Sequence, residues 1–157
     1  MQFSHSDHNE QYLSLHDCIA ERACFENGIL GFAFPDGFWI SPDHPESDLS
    51  EMVRTDFSMV EFSLENGKEY DVAVYVFTKT LFGKTVREEW SVPKLVNSIN
   101  CGKCRLEFLY QYIEWNSRIV ECELIFDKKP YRKECLLKIS AQQVNYLWNH
   151  LRKDCPW

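Results

Sequence analysis

The amino-acid sequence predicts a mainly β fold of the α+β class: an antiparallel β-sandwich or partly open barrel of about eight or nine short strands, with one C-terminal amphipathic helix. Three observations predict it. Apolar and polar residues alternate at a spacing of two through most of the chain, the pattern of a half-buried strand. Turn signals built on Asn-Gly, Asp-Gly and Pro recur between those runs. Only near the C-terminus does the spacing become that of a helix. The 157 residues are 45% hydrophobic and 15% aromatic, which is enough apolar mass for a sizeable core in a single domain over 1–157.

Residues 1–12 are polar and read as a mobile N-terminal tail. Residues 15–25 have the apolar content of a strand, Glu26-Asn27-Gly28 supplies a turn, and residues 29–34 (ILGFAF) return as a second strand. Pro35-Asp36-Gly37 turns again into Phe38-Trp39-Ile40. Residues 41–51 (SPDHPESDLSE) form a long loop with two prolines, three serines and four acids, followed by a short helical turn near 48–54. In residues 55–64 the apolar register shifts once, which suggests a bulge, before a second Glu-Asn-Gly at 65–67. Residues 70–78 (YDVAVYVFT) are the strongest strand and read as buried on both faces. Residues 85–92 alternate again, and 93–100 fit one or two helical turns with Pro93 at the first position. Residues 105–115 place Leu106, Phe108, Tyr110 and Tyr112 on one face, and Asn116-Ser117 turns them into 118–126. Residues 134–139 make the last strand. Ser140-Ala141-Gln142-Gln143 then reads as a capping box, and Val144, Leu147, Trp148 and Leu151 recur at helical spacing, giving a helix over about 141–153.

Composition excludes several functions. There are 17 Lys and Arg against 24 Asp and Glu, a net charge of −7. An acidic chain without clustered bases is no general nucleic-acid binder. No run approaches the length of a membrane helix, and the N-terminus lacks the basic and apolar regions of a signal peptide, so the expected compartment is the cytoplasm. There most of the seven cysteines would be thiols. The charge is uneven: residues 1–100 carry 7 bases and 17 acids, and residues 101–157 carry 10 and 7.

Five groups of residues could carry chemistry or contacts. Cys101-Gly102-Lys103-Cys104 is a lone C-x-x-C on a turn. It has no second pair to complete a zinc site and no helix N-terminus to activate a thiol. His16-Asp17-Cys18 brings a histidine and a thiol to one strand face, with Cys18 expected in the core. His5 and His8 lie in the tail. The acidic stretch from Asp36 to Asp71 holds ten acids and two bases, and its loop acids Asp43, Glu46, Asp48 and Glu51, with Trp39 beside them, form the expected partner-binding surface. Phe38, Trp39, Trp115 and Trp157 read as exposed aromatics of the kind that anchor interfaces. No set of residues completes a catalytic constellation, a metal site or a cofactor site.

The run Leu15-His16-Asp17-Cys18-Ile19, followed by Phe25-Glu26-Asn27-Gly28 and Leu30, resembles the opening hairpin of a loose group of small bacterial β-rich proteins, some of them immunity-like. The resemblance covers about 20 N-terminal residues and implies a cytoplasmic, non-enzymatic β protein without catalytic residues. Together these readings give a binding or interaction module, with immunity-like neutralisation of a basic protein partner as its concrete form. The alternative is a sandwich that binds a small molecule or carbohydrate, or a weak hydrolase working through paired carboxylates.

Overall fold

A computed structural model describes residues 2–45, 50–80 and 82–156, with no side chains described for 153–156. The described elements are β1 (His5–Asp7), β2 (Leu13–Ser14), β3 (Cys18–Ala20), β4 (Arg22–Glu26), β5 (Ile29–Phe34), β6 (Trp39–Ile40), β7 (Val53–Thr55), β8 (Ser58–Leu64), a 3₁₀ turn (Glu69–Asp71), β9 (Val72–Lys79), β10 (Thr85–Trp90), α1 (Val92–Asn100), β11 (Arg105–Glu114), β12 (Ser117–Ile125), β13 (Arg132–Trp148) and β14 (Leu151–Pro156). Ten strands form one antiparallel sheet with the path β3-β11-β12-β13-β8-β5-β4, and β14-β7-β6-β2 form a second, smaller one. The mainly β, antiparallel architecture expected from the sequence is what the chain adopts, without a closed barrel.

β13 is the spine. Its first half, Glu134–Ile139, has β12 on one side and β9 on the other. Its second half, Ala141–Leu147, pairs with β8, and its last residues pair with β1. The register slips between Ala141 and Gln143. Such a bulge bends a strand and increases its twist, so one strand serves both halves of the sheet. The inner face of β13 places Leu137, Ile139, Ala141, Val144, Tyr146 and Trp148 in the core. Phe108 of β11 meets Phe32 and Phe34 of β5, each at 5.3 Å between centroids, and these edge-on contacts join the two halves.

The helix expected over 141–153 is therefore not formed. The segment holds two patterns at once. Val144, Leu147, Trp148 and Leu151 fit a helix, but Val144, Tyr146 and Trp148 also alternate, and β-branched and aromatic residues favour a strand with partners on both sides. Those three side chains are the buried ones. The Ser140 carbonyl accepts from Glu65 N–H in place of starting a helix, and the Gln143 amide donates to Asn145. The α-helix among the described residues is α1, where sequence placed the proline-led turns. The Ser91 hydroxyl caps it by accepting from Lys94 N–H, and it buries Val92, Leu95 and Ile99.

The N-terminal residues are not a loose tail either. β1 pairs with the end of β13, and His5 stacks on Trp148 at 5.5 Å. Glu10 reaches Arg118, whose Nη2 lies 2.6 Å from a carboxylate oxygen, with both side chains largely buried. Arg118 also donates to the Ala141 carbonyl at 2.8 Å and to Asn116 at 3.3 Å. Two more expectations shift. Residues 15–25 split into β3 and β4 at Glu21, and β9 is buried on one face and only half-buried on the other. The expected register break in 55–64 falls between β7 and β8, and β8 itself alternates cleanly. The 48–54 turn lies partly outside the described residues, and Val53 and Arg54 belong to β7.

The two Glu-Asn-Gly turns meet: the Leu64 N–H donates to the Gly28 carbonyl at 2.9 Å, and a Cβ on Gly28 would fall 2.8 Å from the Gly67 Cα. Only the first closes a hairpin, since β8 and β9 pair with β13 and not with each other.

Arg118→Ala leaves the Glu10 carboxylate and the Ala141 carbonyl without their donor. Removing one partner of a buried pair costs about 3 kcal/mol or more. Urea unfolding of the variant against the parent measures this, and a loss below about 1 kcal/mol would mean that the pair is not an anchor.

Candidate interaction surface

The most distinctive surface comes from one extra residue in β11. Leu106 and Phe108 point inward and are buried. Phe108 faces Cys122 on β12, and Tyr110 faces the adjacent residue, Glu121, so Leu109 is left over as a bulge. Side chains alternate by residue, so one insertion exchanges the faces. Tyr110 and Tyr112 consequently point outward, 54% and 56% exposed. The single face expected for Leu106, Phe108, Tyr110 and Tyr112 is thus divided at Leu109.

Register then places neighbours beside them. One row of the outer face runs Tyr112, Ile119, Lys138, Ala73, and the next runs Tyr110, Glu121, Leu136, Tyr75, Glu89. A third runs Glu107, Glu123, Glu134, Phe77, Arg87. Arg132 bonds both Glu107 and Glu123, and Lys79 pairs with Glu134 at 3.1 Å. Arg87 sits 4.9 Å above the Tyr75 ring. At the hairpin tip Trp115 has φ +54° and is 91% exposed. A left-handed tryptophan is rare, and here the two-residue turn between Glu114 and Ser117 demands it. Ile113 adds a further exposed apolar side chain.

The acidic loop is placed less completely. Asp43 and Glu51 are exposed, whereas Glu46 and Asp48 lie outside the described residues. Trp39 does not belong to that surface. β6 lies between β2 and β7, so its indole is buried at 7% exposure, donates to the His16 carbonyl at 3.0 Å and is covered by Arg54 at 4.9 Å. Phe38 is likewise buried, and Trp157 lies outside the described residues. The start of the loop is anchored from beneath: His44 lies 2.6 Å from the Asp7 carboxylate and meets the Tyr12 ring edge-on. The same N-terminal segment touches the hairpin, through Glu10 on Gln111 at 2.8 Å and His16 against Tyr110.

Between that segment and β11 lies a cleft of about 220 Å³, lined by Glu10, Leu13, His16, Tyr110, Gln111 and Ile113 among others. It is smaller than ordinary small-molecule sites, and its one carboxylate is occupied by Arg118 and Gln111. A shallower groove of about 430 Å³ is edged by Lys103, Lys128, Lys129 and Lys133 over Phe126.

Among the described residues, the thiols of the two sequence motifs are not arranged for reaction. Burial pushes Cys18 up to about 12, so His16-Asp17-Cys18 holds no thiolate nucleophile, and the His16 ring pairs with Asp17 at 3.0 Å. Burial likewise raises Cys104 to about 11 and Cys135 to about 12. Cys101 is exposed at the C-terminal end of α1, the end that disfavours an anion. Among the described residues no group of three or more His, Cys, Asp or Glu could hold a metal ion, and no helix is long and apolar enough to cross a membrane.

Comparison with protein-family models, curated proteins and solved structures finds no match to this chain.

The Asp7 anchor sets a pH dependence. Burial opposes ionisation of Asp7, but hydrogen bonds from Asn9 N–H, the His44 ring and His8 N–H outweigh it and hold the carboxyl below its ordinary 3.8. A carboxyl lowered in the folded state stabilises fully above its unfolded value and loses that contribution as the pH falls through its folded one. The stability difference between the parent and Asp7→Asn is therefore full above pH 3.8 and narrows below it. Chemical denaturation at a series of pH values tests this, and a gap that stays constant into acid would contradict it.

Proposed function

We propose that the protein is a non-enzymatic interaction module that docks a basic protein partner, in the manner of an immunity protein, through the β11–β12 hairpin and the outer face beside it. The observation that carries this reading is the exposed group Tyr110, Tyr112 and Ile119 on the outer face of one hairpin, with Trp115 at its tip. Tyrosine and tryptophan at the centre of a patch are the usual anchors of protein interfaces, and contiguous exposed apolar area on a soluble domain marks a docking site.

Charge supports a basic partner. Glu114 and Glu121 are exposed on the hairpin, and Asp43 and Glu51 are exposed in the loop that the same N-terminal segment touches. These carboxylates steer a basic partner and favour its approach at low salt. Burial keeps the Cys18 and Cys135 thiols protonated, and Arg118 occupies the Glu10 carboxylate.

Co-expression of the tagged chain with the products of its neighbouring genes, followed by co-purification, identifies the partner. The double variant Trp115→Ser, Ile119→Asp is expected to weaken that complex by about 2 kcal/mol or more, roughly thirtyfold in Kd. Asp43→Lys with Glu51→Lys is expected to act mainly on the association rate and its salt dependence. A complex unaffected by the hairpin variant would refute the assignment of this surface.

A further inference from the structure

The backbone of the hairpin carries a second message. Ala141 N–H donates to the Asn116 carbonyl, so Asn116 and every second residue after it on β12 turn their polar groups toward β13. Ser117, Ile119 and Glu121 then face β11, where they oppose Glu114, Tyr112 and Tyr110. The remaining residues, Gln111 and Ile113, turn N–H and C=O outward. The Phe108 carbonyl also points outward and is met by Asp17 N–H at 2.8 Å, because β3 covers this edge. That cover spans Leu106–Phe108 only. Beyond it the chain of residues 13–16 diverges from β11, the cleft opens between them, and among the described residues no backbone group bonds Gln111 or Ile113 from that side.

We infer that this bare edge of β11 takes an extended strand of the partner, which lies end to end with β3 and adds to the sheet. The deduction rests on the interaction reading above and specifies its mode. Main-chain donors and acceptors on a sheet edge are matched by another extended backbone, and side chains at alternate positions then set specificity. On one side, alternate residues would enter the cleft against Leu13, Phe108 and Val120. On the other they would lie beside Tyr110 and Tyr112 with Glu121 and Glu114 in reach. The segment that fits has apolar residues alternating with Lys or Arg.

The probe is a short capped peptide of alternating Lys and Val, compared with a peptide of the same composition in two blocks. Amide NMR of the full chain reads binding. The alternating peptide is expected to shift the amides of residues 109–114 and 13–16, and the block peptide is not. Ile113→Pro removes one outward N–H, while the ladder to β12 makes no use of it. With the melting curve retained, this variant is expected to bind the alternating peptide about tenfold more weakly. Shifts confined to the acidic loop, equal binding of both peptides, or undiminished binding by Ile113→Pro would overturn strand addition. If the co-purified partner is lost on Trp115→Ser, Ile119→Asp but kept on Ile113→Pro, the interaction reading stands and strand addition fails. If the hairpin variant keeps the partner, the interaction reading itself fails.

Discussion

The buried guanidinium of Arg118 is the interaction on which the rest of the structure depends. It binds the Ala141 carbonyl at the point where β13 slips register, the Asn116 carbonyl at the hairpin turn, and the Glu10 carboxylate of the N-terminal segment. Three distant stretches of chain are thereby fixed to one side chain. The bend in β13 lets one strand serve both halves of the large sheet. The hold on Glu10 keeps the N-terminal segment against β11, where the cleft forms, and among the described residues no backbone group bonds the outer edge of the hairpin at Gln111 and Ile113. A lysine would not reproduce this, because a forked set of donors is needed for three acceptors in different directions.

The interior and the surface are divided by a second device, the extra residue Leu109. Without it, Tyr110 and Tyr112 would follow Leu106 and Phe108 into a core already filled by Phe32, Phe34 and Val120. With it, the tyrosines join Ile119, Leu136 and Tyr75 on the outer face of the sheet, where Ile119 is exposed and Leu136 and Tyr75 are half-buried. Bulges of this kind recur where a strand must re-aim side chains for function.

The fold class was legible because alternation is a local signal: β8 and β12 carry it in their own residues, while β5 and β9 show as short apolar runs between turn signals. The C-terminal segment was not, because residues 144–151 satisfy both periods and the choice is made elsewhere, by β8 and β1 offering partners on either side. Neither bulge has a mark in composition, so the exposed tyrosines could not be told from buried ones. Arg118 looked like one more strand charge, since its partner lies 108 residues away. Trp115 was legible as an exposed aromatic from the Asn116-Ser117 turn beside it. Trp39 was not, because its cover comes from Arg54 and His16 across a second sheet.

The register of β11 decides which side chains face outward and whether the edge is open, and amide hydrogen exchange reads that register directly. In the free protein the amides of Tyr110, Tyr112 and Glu114 should exchange slowly, and those of Gln111 and Ile113 between them quickly. That alternation would place the bulge at Leu109, the tyrosines outside and the edge open. Uniform protection across these five amides, or slow exchange at Gln111 and Ile113 with fast exchange at Tyr110 and Tyr112, would contradict it.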